Sequence, residues 1–364
     1  MITGLLSLAV TAGIFIFLAI LLLIAERYLV NYGSCLVRIN EGSVEFEQPG
    51  GGTLLSALYE HKVFIPSACG GKGSCGYCKV VVLEGGGPLL PTETPYINRS
   101  EAKAGVRLAC QVKIKLPMDL KLPEELLNVR EFKARVSLIR ELTHDIKEVN
   151  FELNEPTEIK QRSGQYIQIL APGPDGPVFR AYSISSPAHE NHKVQLVVRL
   201  VPGGIASTYI HNLKEGDEVT FTGPYGEFRL SEDPGKAVIC VGGGAGMAPI
   251  SNIIHTIYQR WPDRPCYLFF GCRTKNDVFY LRRFQKLAEE HPNFKVVYGL
   301  SDPLEEDEQW DGDTGFIHLS VDKRLAVKQN RQAFLCGPPP MIEAVTEVLQ
   351  DKGFKNEDIF YDKF

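Results

Sequence analysis

Hydrophobic and polar positions follow four different rhythms along this chain. Over residues 4–25 the run is apolar apart from Ser7 and Thr11, and residues 1–25 carry no charged side chain. At roughly 1.5 Å per helical residue, such a stretch is long enough to cross a ~30 Å hydrocarbon layer. Glu26, Arg27, Tyr28 and Tyr32 follow as an interfacial border. A cleaved signal peptide needs a basic leading region and a small-residue cleavage site, and neither flanks the run. The pattern therefore predicts a retained single-pass transmembrane anchor over 1–33, held in the inner (cytoplasmic) membrane. Arg27 and Arg38 are the first positive side chains, and by the positive-inside tendency they place the body of the chain in the cytoplasm.

The next rhythm has period two. CLVRI (35–39) and SVEFE (43–47) alternate across a turn at Asn40–Gly42, and Leu54, Leu55 and Leu58 then fall at helical spacing. A cysteine-bearing loop leads into another strand, KVVVLEG, and this small α+β unit closes near Leu122. Prolines at 117 and 123 mark 116–128 as a linker, because each disfavours helix at the residue before it. From Glu131 to about Leu230, six alternating segments (FKARVSLI, EVNFEL, QYIQIL, RAYSIS, VQLVVRLV, EVTFTG) are separated by Gly, Pro, Asn and Asp, which predicts an antiparallel β-barrel. From Lys236 onward, strands such as AVICVGGG, CYLFFG and QAFLCG alternate with helical stretches, which predicts an α/β doubly wound parallel sheet. The fold class is multidomain, with boundaries expected at 1–33, 34–122, 128–231 and 232–364.

Charge removes one class of function. The 364 residues carry a net charge of −5 with both signs interspersed, so there is no basic stripe and no nucleic acid is expected as a partner. Nine cysteines are an odd number, and four of them (Cys69, Cys75, Cys78, Cys110) share one region, which suits metal ligation in a reducing compartment better than a disulfide framework.

The loop ACGGKGSCGYCKV (68–80) places five residues between Cys69 and Cys75 and two between Cys75 and Cys78, and thirty-one residues separate Cys78 from the lone Cys110. Four thiolates satisfy a 2Fe-2S cluster, and the spacing is close to the plant-type pattern. A structural zinc site usually shows two close pairs, and a thioredoxin-like pair opens a helix after a strand; the cluster is favoured over both. Gly70, Gly71, Gly73 and Gly76 give the backbone the freedom to bend around a cluster. The one-residue expansion of the spacing resembles adrenodoxin-like ferredoxins, which implies a ferredoxin-like (β-grasp) domain.

The segment RAYSISSP (180–187) resembles the Arg-x-Tyr-Ser element of the ferredoxin-NADP reductase superfamily. The resemblance implies that Arg180 pairs with the FAD pyrophosphate, Tyr182 stacks on the isoalloxazine and Ser183 places its hydroxyl near the nitrogen that accepts hydride. These roles suit a guanidinium fork and an aromatic face. GGIASTYI (203–210) resembles the second FAD-phosphate element, with Gly204, Ser207 and Thr208 opening a short helix. AVICVGGGAGMAPI (237–250) reads as strand, glycine loop and helix. Gly242, Gly243, Gly244 and Gly246 let a dinucleotide approach the backbone, and Met247 and Pro249 begin the helix. Near the end, FLCGPPPM places Cys336, Gly337 and Pro338 where the superfamily holds nicotinamide, and the terminal aromatic Phe364 resembles the residue that shields the other flavin face.

The order anchor, ferredoxin, flavin barrel, nicotinamide domain resembles the F subunits of sodium-translocating NADH:quinone reductases over nearly the whole chain. GGGAGMAPI, FFGCRTKNDVFY, LSDP, DTGFIH and CGPPPM carry the likeness together. One departure is the short connection GPDGPVF before RAYS, where that family carries a longer insertion. The resemblance implies an NADH dehydrogenase component with FAD, a 2Fe-2S cluster and NADH, other membrane subunits as partners and quinone as an indirect acceptor. Arg273, Thr274 and Lys275 could hold the extra phosphate of NADPH; the resemblance favours NADH. Two rivals share the modules: the reductase component of an oxygenase, which has no need of an apolar N-terminus, and a membrane-tethered redox sensor. His189 and His192 lack metal spacing, and the acidic run at 305–308 reads as solvated surface.

Overall fold

The computed structural model describes residues 11–21, 32–174, 176–226, 228, 230–302, 309–326 and 330–363. The chain divides into two compact units, Met1–Val129 and Arg130–Phe364. Residues 11–21 are helical and exposed. Among the described residues no helix is long and apolar enough to cross a membrane, and most of the expected anchor lies outside them.

The first unit is built on a five-stranded sheet. Its strands are β1 (Ser34–Ile39), β2 (Val44–Pro49), β3 (Lys79–Glu84), β4 (Val106–Leu108) and β5 (Met118–Lys121), in the order β2-β1-β5-β3-β4. Helices α1 (Leu54–Glu60), α2 (Arg99–Lys103) and α3 (Glu124–Leu127) complete it. Alternation along β1 sends Cys35, Val37 and Ile39 inward, where Leu54 and Leu58 of α1 meet them. Thr53 caps α1 by accepting from the Ser56 amide at 3.2 Å. Where a linker was expected, Met118–Lys121 instead forms the middle strand, parallel to β1 and antiparallel to β3. Pro117 and Pro123 flank this strand without interrupting it, so no ladder amide is lost, and Met118 and Leu120 reach the core.

The second unit opens with β6 (Arg130–Glu141), β7 (Ile146–Glu155), β8 (Tyr166–Ala171), β9 (Val178–Ser183), β10 (Lys193–Arg199), helix α4 (Ile205–Asn212) and β11 (Glu218–Tyr225). The strands run antiparallel in the order β10-β7-β6-β11-β8-β9, and a bridge between Ile184 and Leu196 joins the two ends of that order into a barrel. Then follow β12 (Ala237–Gly243), α5 (Met247–Arg260), β13 (Cys266–Cys272), α6 (Leu281–Glu290), β14 (Phe294–Leu300), β15 (Asp313–Thr314), α7 (Ile317–Arg324), β16 (Arg331–Gly337), α8 (Pro339–Asp351) and β17 (Ile359–Lys363). All six strands are parallel, ordered β15-β14-β13-β12-β16-β17. Ile250, Ile253 and Ile257 of α5 pack with Cys240, Leu268 and Phe270 on one face, while Val321 of α7 and Val345 and Leu349 of α8 pack with Ile239 and Val241 on the other. The sheet is thus covered on both faces. Strand order reverses between β12 and β16, which opens a crevice at their carboxyl ends, the place where such sheets bind ligands.

Candidate functional site

The cysteine loop lies between α1 and β3, and Gly70, Gly71, Gly73 and Gly76 all have φ between +65° and +85°. That is left-handed backbone, which side chains other than glycine avoid. A Cβ on Gly76 would stand 2.7 Å from the Tyr96 ring, and one on Gly73 would stand 2.6 Å from the Gln111 amide, so the loop is also tightly seated. Among the described residues no three His, Cys, Asp or Glu side chains converge on a point that suits a single metal ion. The thiols instead form two pairs. Cys69 and Cys75 bring their sulfurs to 3.4 Å, and Cys78 donates a hydrogen bond to Cys110. Two thiols for each of two metals is the donor set of a diiron cluster. That bond, with one from the Gln111 amide at 3.5 Å, holds Cys110 down to about 6 despite burial, while Cys78 as the donor is pushed up. Cys78 and Cys110 are buried; Cys69 and Cys75 are half-buried.

In the second unit, RAYS lies on β9, with Arg180 opposite Ile169 and Ser183 opposite Tyr166 on β8. The Arg180 guanidinium donates to the Phe179 carbonyl at 2.6 Å. Burial pushes the Tyr182 phenol up to about 12, with the Arg180 charge opposing it. Gly204 precedes α4 with no side-chain cap, which leaves first-turn amides of the helix open. Ser207 turns inward: its hydroxyl accepts from the Val201 amide at 3.1 Å and donates to the Gly204 carbonyl at 3.3 Å, so it braces the Gly203–Gly204 turn. Thr208 is exposed.

The glycine loop and the Cys336 loop meet at the strand-order reversal, with Gly242 in register with Cys336. A Cβ on Gly246 would run into the Cys336 carbonyl and stand 3.0 Å from the Gly337 nitrogen. The two backbones approach too closely for any side chain at Gly246, where the loop opens helix α5, and a helix start of this kind suits a dinucleotide phosphate. Helix α5 begins at Met247, so Pro249 lies in its first turn; Met247 is buried with its sulfur against Gly242. Arg273, at the end of β13, is ion-paired to Asp277 at 3.1 Å, and Asp277 also accepts from Thr274. Burial would raise the Asp277 carboxyl, but the Thr274 and Arg273 hydrogen bonds outweigh it and hold it below the usual range.

With this geometry in place, comparison with known proteins is direct. Residues 37–115 match the 2Fe-2S iron-sulfur cluster binding domain family, 133–230 the oxidoreductase FAD-binding domain family and 240–347 the oxidoreductase NAD-binding domain family. The F subunit of the Na(+)-translocating NADH-quinone reductase of Neisseria meningitidis is 39% identical over 95% of this chain and 96% of its own. That of Actinobacillus succinogenes is 38% identical over 97% and 96%. The chain belongs to the family of Na(+)-translocating NADH-quinone reductase F subunits. Like other members, it is a flavin- and iron-sulfur-dependent oxidoreductase whose cofactors are FAD, a 2Fe-2S cluster and NADH. The alignment with the Neisseria F subunit spans 390 positions, more than the 364 residues here, so that relative carries insertions this chain lacks. Among solved structures, the Amycolatopsis cytochrome P450 reductase GcoB matches with a TM-score of 0.72 at 30% identity, covering 91% of this chain and 98% of its own. The ferredoxin reductase of carbazole 1,9a-dioxygenase matches with 0.68 at 27%, over the same shares.

Two side chains that sequence reasoning missed lie against these residues. Asp362 on β17 lies in register with Cys336 and accepts a hydrogen bond from the Ser183 hydroxyl. Burial pushes its carboxyl up, and the Ser183 bond opposes this. Cys336 is fully buried, and burial followed by the Asp362 charge pushes its thiol up, so it stays protonated. Ser183 and Cys336 thus meet at Asp362. Arg199, at the end of β10, lays its guanidinium against Gly244, where a Cβ would stand 3.0 Å away, and lies 3.1 Å from Asp145. The only signal for Asp362 was the alternation in IFYDK, too short to read as a strand by itself. Phe364 and the acidic run at 305–308 lie outside the described residues.

Proposed function

We propose that this chain is the NADH-oxidising component of a membrane-bound, sodium-coupled NADH:quinone reductase, passing electrons from NADH by way of FAD and the 2Fe-2S centre to a membrane partner, with quinone as the eventual acceptor. The observation that carries this reading is the meeting of Ser183, Asp362 and Cys336 beside the Gly242–Gly246 loop, in a chain that the Neisseria relative matches over 95% of its length. Bound flavin supplies the conversion between paired electrons from nicotinamide and single electrons for an iron-sulfur centre.

The protein's own share is binding, orientation and proton control. Arg180, which now donates to the Phe179 carbonyl, and the uncapped amides of α4 would hold the FAD diphosphate, and Tyr182 would offer its aromatic face to the flavin. Ser183, tethered to Asp362, would hold its hydroxyl oxygen at the edge of a bound flavin ring, and Cys336, kept as a neutral thiol, would pack beside the nicotinamide without adding a charge of its own. Cys69, Cys75, Cys78 and Cys110 hold the cluster in their two pairs. Asp277 next to Arg273 disfavours the extra phosphate of NADPH, because that anion would have to displace a carboxylate already paired there. The proposed domain limits are 1–33, 34–122, 128–231 and 232–364, with residues 4–25 as a single membrane span and the body in the cytoplasm.

The decisive experiment is anaerobic titration of the detergent-purified chain with NADH. Bleaching of the flavin absorbance followed by a diiron EPR signal, with NADH much preferred to NADPH, is expected. A flavin that NADH leaves oxidised, or a chain with no such signal after dithionite, overturns the reading. The oxygenase-reductase alternative draws on the solved neighbours, two of which serve a cytochrome P450 and a dioxygenase; co-purification of membrane subunits with the tagged chain distinguishes it.

A further inference from the structure

The motif FFGCRTKNDVFY ends in a side chain for which the electron path has no use. Tyr280 stands immediately before α6 in the α/β half, with φ at +59°, a left-handed conformation that non-glycine residues rarely adopt. Its hydroxyl donates to Oε2 of Glu148 at 2.5 Å, and Glu148 is on β7 of the barrel, 2% exposed. Arg140 of β6 approaches the other carboxylate oxygen at 3.5 Å. The Tyr280 ring packs edge-on against Phe279 at 5.0 Å, and the Arg283 guanidinium lies over it at 5.0 Å. Burial and the neighbouring carboxylate both keep the phenol protonated, so it remains a donor.

The surroundings of this bond are open. A cleft of about 600 Å³ separates Leu138, Arg140 and Asn150 of the barrel from the first turn of α6, and neither the glycine loop nor RAYS lines it. The Asn150 side-chain oxygen is buried there without a partner. Ile146, Val197 and Leu142 of the barrel pack against the α/β core beside this cleft, so the two halves share an apolar pivot there, and the charge-assisted hydrogen bond across the cleft is what fixes the angle about it. The segment that carries Tyr280 is the same β13–α6 connection that holds Arg273 and Asp277 at the edge of the nicotinamide crevice.

We propose that the Tyr280–Glu148 hydrogen bond is a strut that sets how closely the nicotinamide half closes on the flavin barrel, which makes Tyr280 a positioning residue for hydride transfer. This rests on the NADH-to-flavin reading above. Without the hydroxyl, the two halves rotate about the contacts that remain, among them the Asn252 side-chain amide on the Ser186 carbonyl and the Ser231 amide on Gln332. The nicotinamide still binds, but its reactive carbon stands off the flavin, and a misplacement of ~1 Å can cost about 100-fold in rate.

The test uses the full-length, FAD-loaded chain and the variants Tyr280→Phe, Glu148→Leu and the double variant. In stopped-flow reduction by NADH, each single variant should lower the limiting rate at least tenfold while the NADH concentration at half-maximal rate moves less than twofold. The long-wavelength absorbance of stacked nicotinamide and flavin should weaken in parallel. The double variant should lose no more than either single one, because both remove the same bond. Hydrogen exchange without NADH should speed up at 146–150 and 278–284. A limiting rate within twofold of the parent, additive losses in the double variant, or unchanged exchange at those segments overturns the strut. If one single variant does not fold, the other decides. A parent protein that NADH does not reduce refutes the functional reading instead, so the two failures are distinct.

Discussion

Glu93 of the first unit offers a prediction whose size follows from its contacts. Its side chain is fully buried and accepts from Arg107 through Nε at 3.0 and 3.1 Å and through Nη2 at 2.7 Å. It also accepts from the backbone amides of Leu108 at 2.8 Å and Leu90 at 2.9 Å. Arg107, itself nearly inaccessible, gives its remaining nitrogen to the carbonyls of Gly86 and Gly87. Glu93→Ala removes one charge of a buried pair and strands the other, together with two amides. Breaking such a pair costs about 3–5 kcal/mol. For a domain of this size, each 1 kcal/mol lowers the melting temperature by roughly 4–8 °C, so a fall of about 12–40 °C is expected. Since Leu108 is two residues from Cys110, the visible absorbance of the cluster should vanish in the same transition. The assay is thermal unfolding of the full chain followed at cluster and flavin wavelengths separately; the flavin transition should move little. Glu93→Met combined with Arg107→Met, which replaces both charges with apolar volume, should recover most of the loss. There is also a pH signature. Burial alone would raise the Glu93 carboxyl, but Arg107 and the two amides outweigh it and hold it low. Its stabilisation is therefore complete above the ordinary carboxylate range and is lost as pH falls through the depressed value. A Glu93→Ala protein whose cluster transition lies within 5 °C of the parent would refute this reasoning.

Other expectations can be checked with the same material. Ser183→Ala should slow flavin reduction by NADH about 100-fold, the scale of losing one preorganised donor, with FAD content unchanged on the purified protein. Gly246→Ala puts a methyl group into the Cys336 carbonyl, so the two loops must part, and NADH affinity measured by titration should fall at least tenfold while FAD stays bound. Burial raises the Asp362 carboxyl, so the folded state holds its proton more tightly than the unfolded state, and stability is lost as pH rises through the raised value. Asp362→Asn should therefore raise the melting temperature more at pH 8 than at pH 4, while lowering the rate of hydride transfer. Cys110→Ser should abolish the diiron EPR signal yet leave NADH-dependent flavin bleaching intact.

What could be read from the sequence was whatever depends on neighbours along the chain. The period-two alternation of β1, β6 and β10 gives strands because successive side chains face opposite sides of a sheet, and Leu54, Leu55 and Leu58 give a helix because they share one face. The spacing of the four cysteines points to a metal centre, because thiols crowded into one glycine-rich loop have few other uses. What could not be read depends on pairing between distant segments. Met118–Lys121 is only four residues between two prolines, and its place in the sheet comes from β1, some eighty residues earlier. The carboxylate of Asp362 gains its meaning only when β17 aligns beside Cys336 and meets Ser183 from the barrel. Arg199 looked like the end of a barrel strand until Gly244 came to rest against it. Glu93 and Arg107 resemble surface charges in the sequence, because only the folded loop buries them together.

The left-handed backbone at Gly70, Gly71, Gly73 and Gly76 has a consequence for anyone who wishes to retune the electron carrier. Each position would exact about 1–2 kcal/mol for any other residue, so exchanging amino acids one at a time accumulates penalties before any benefit appears. A graft of the whole segment 68–78 from another ferredoxin brings a set of bends that already agree with one another. Redox engineering of this protein is therefore better pursued by transplanting loops than by stepwise mutagenesis.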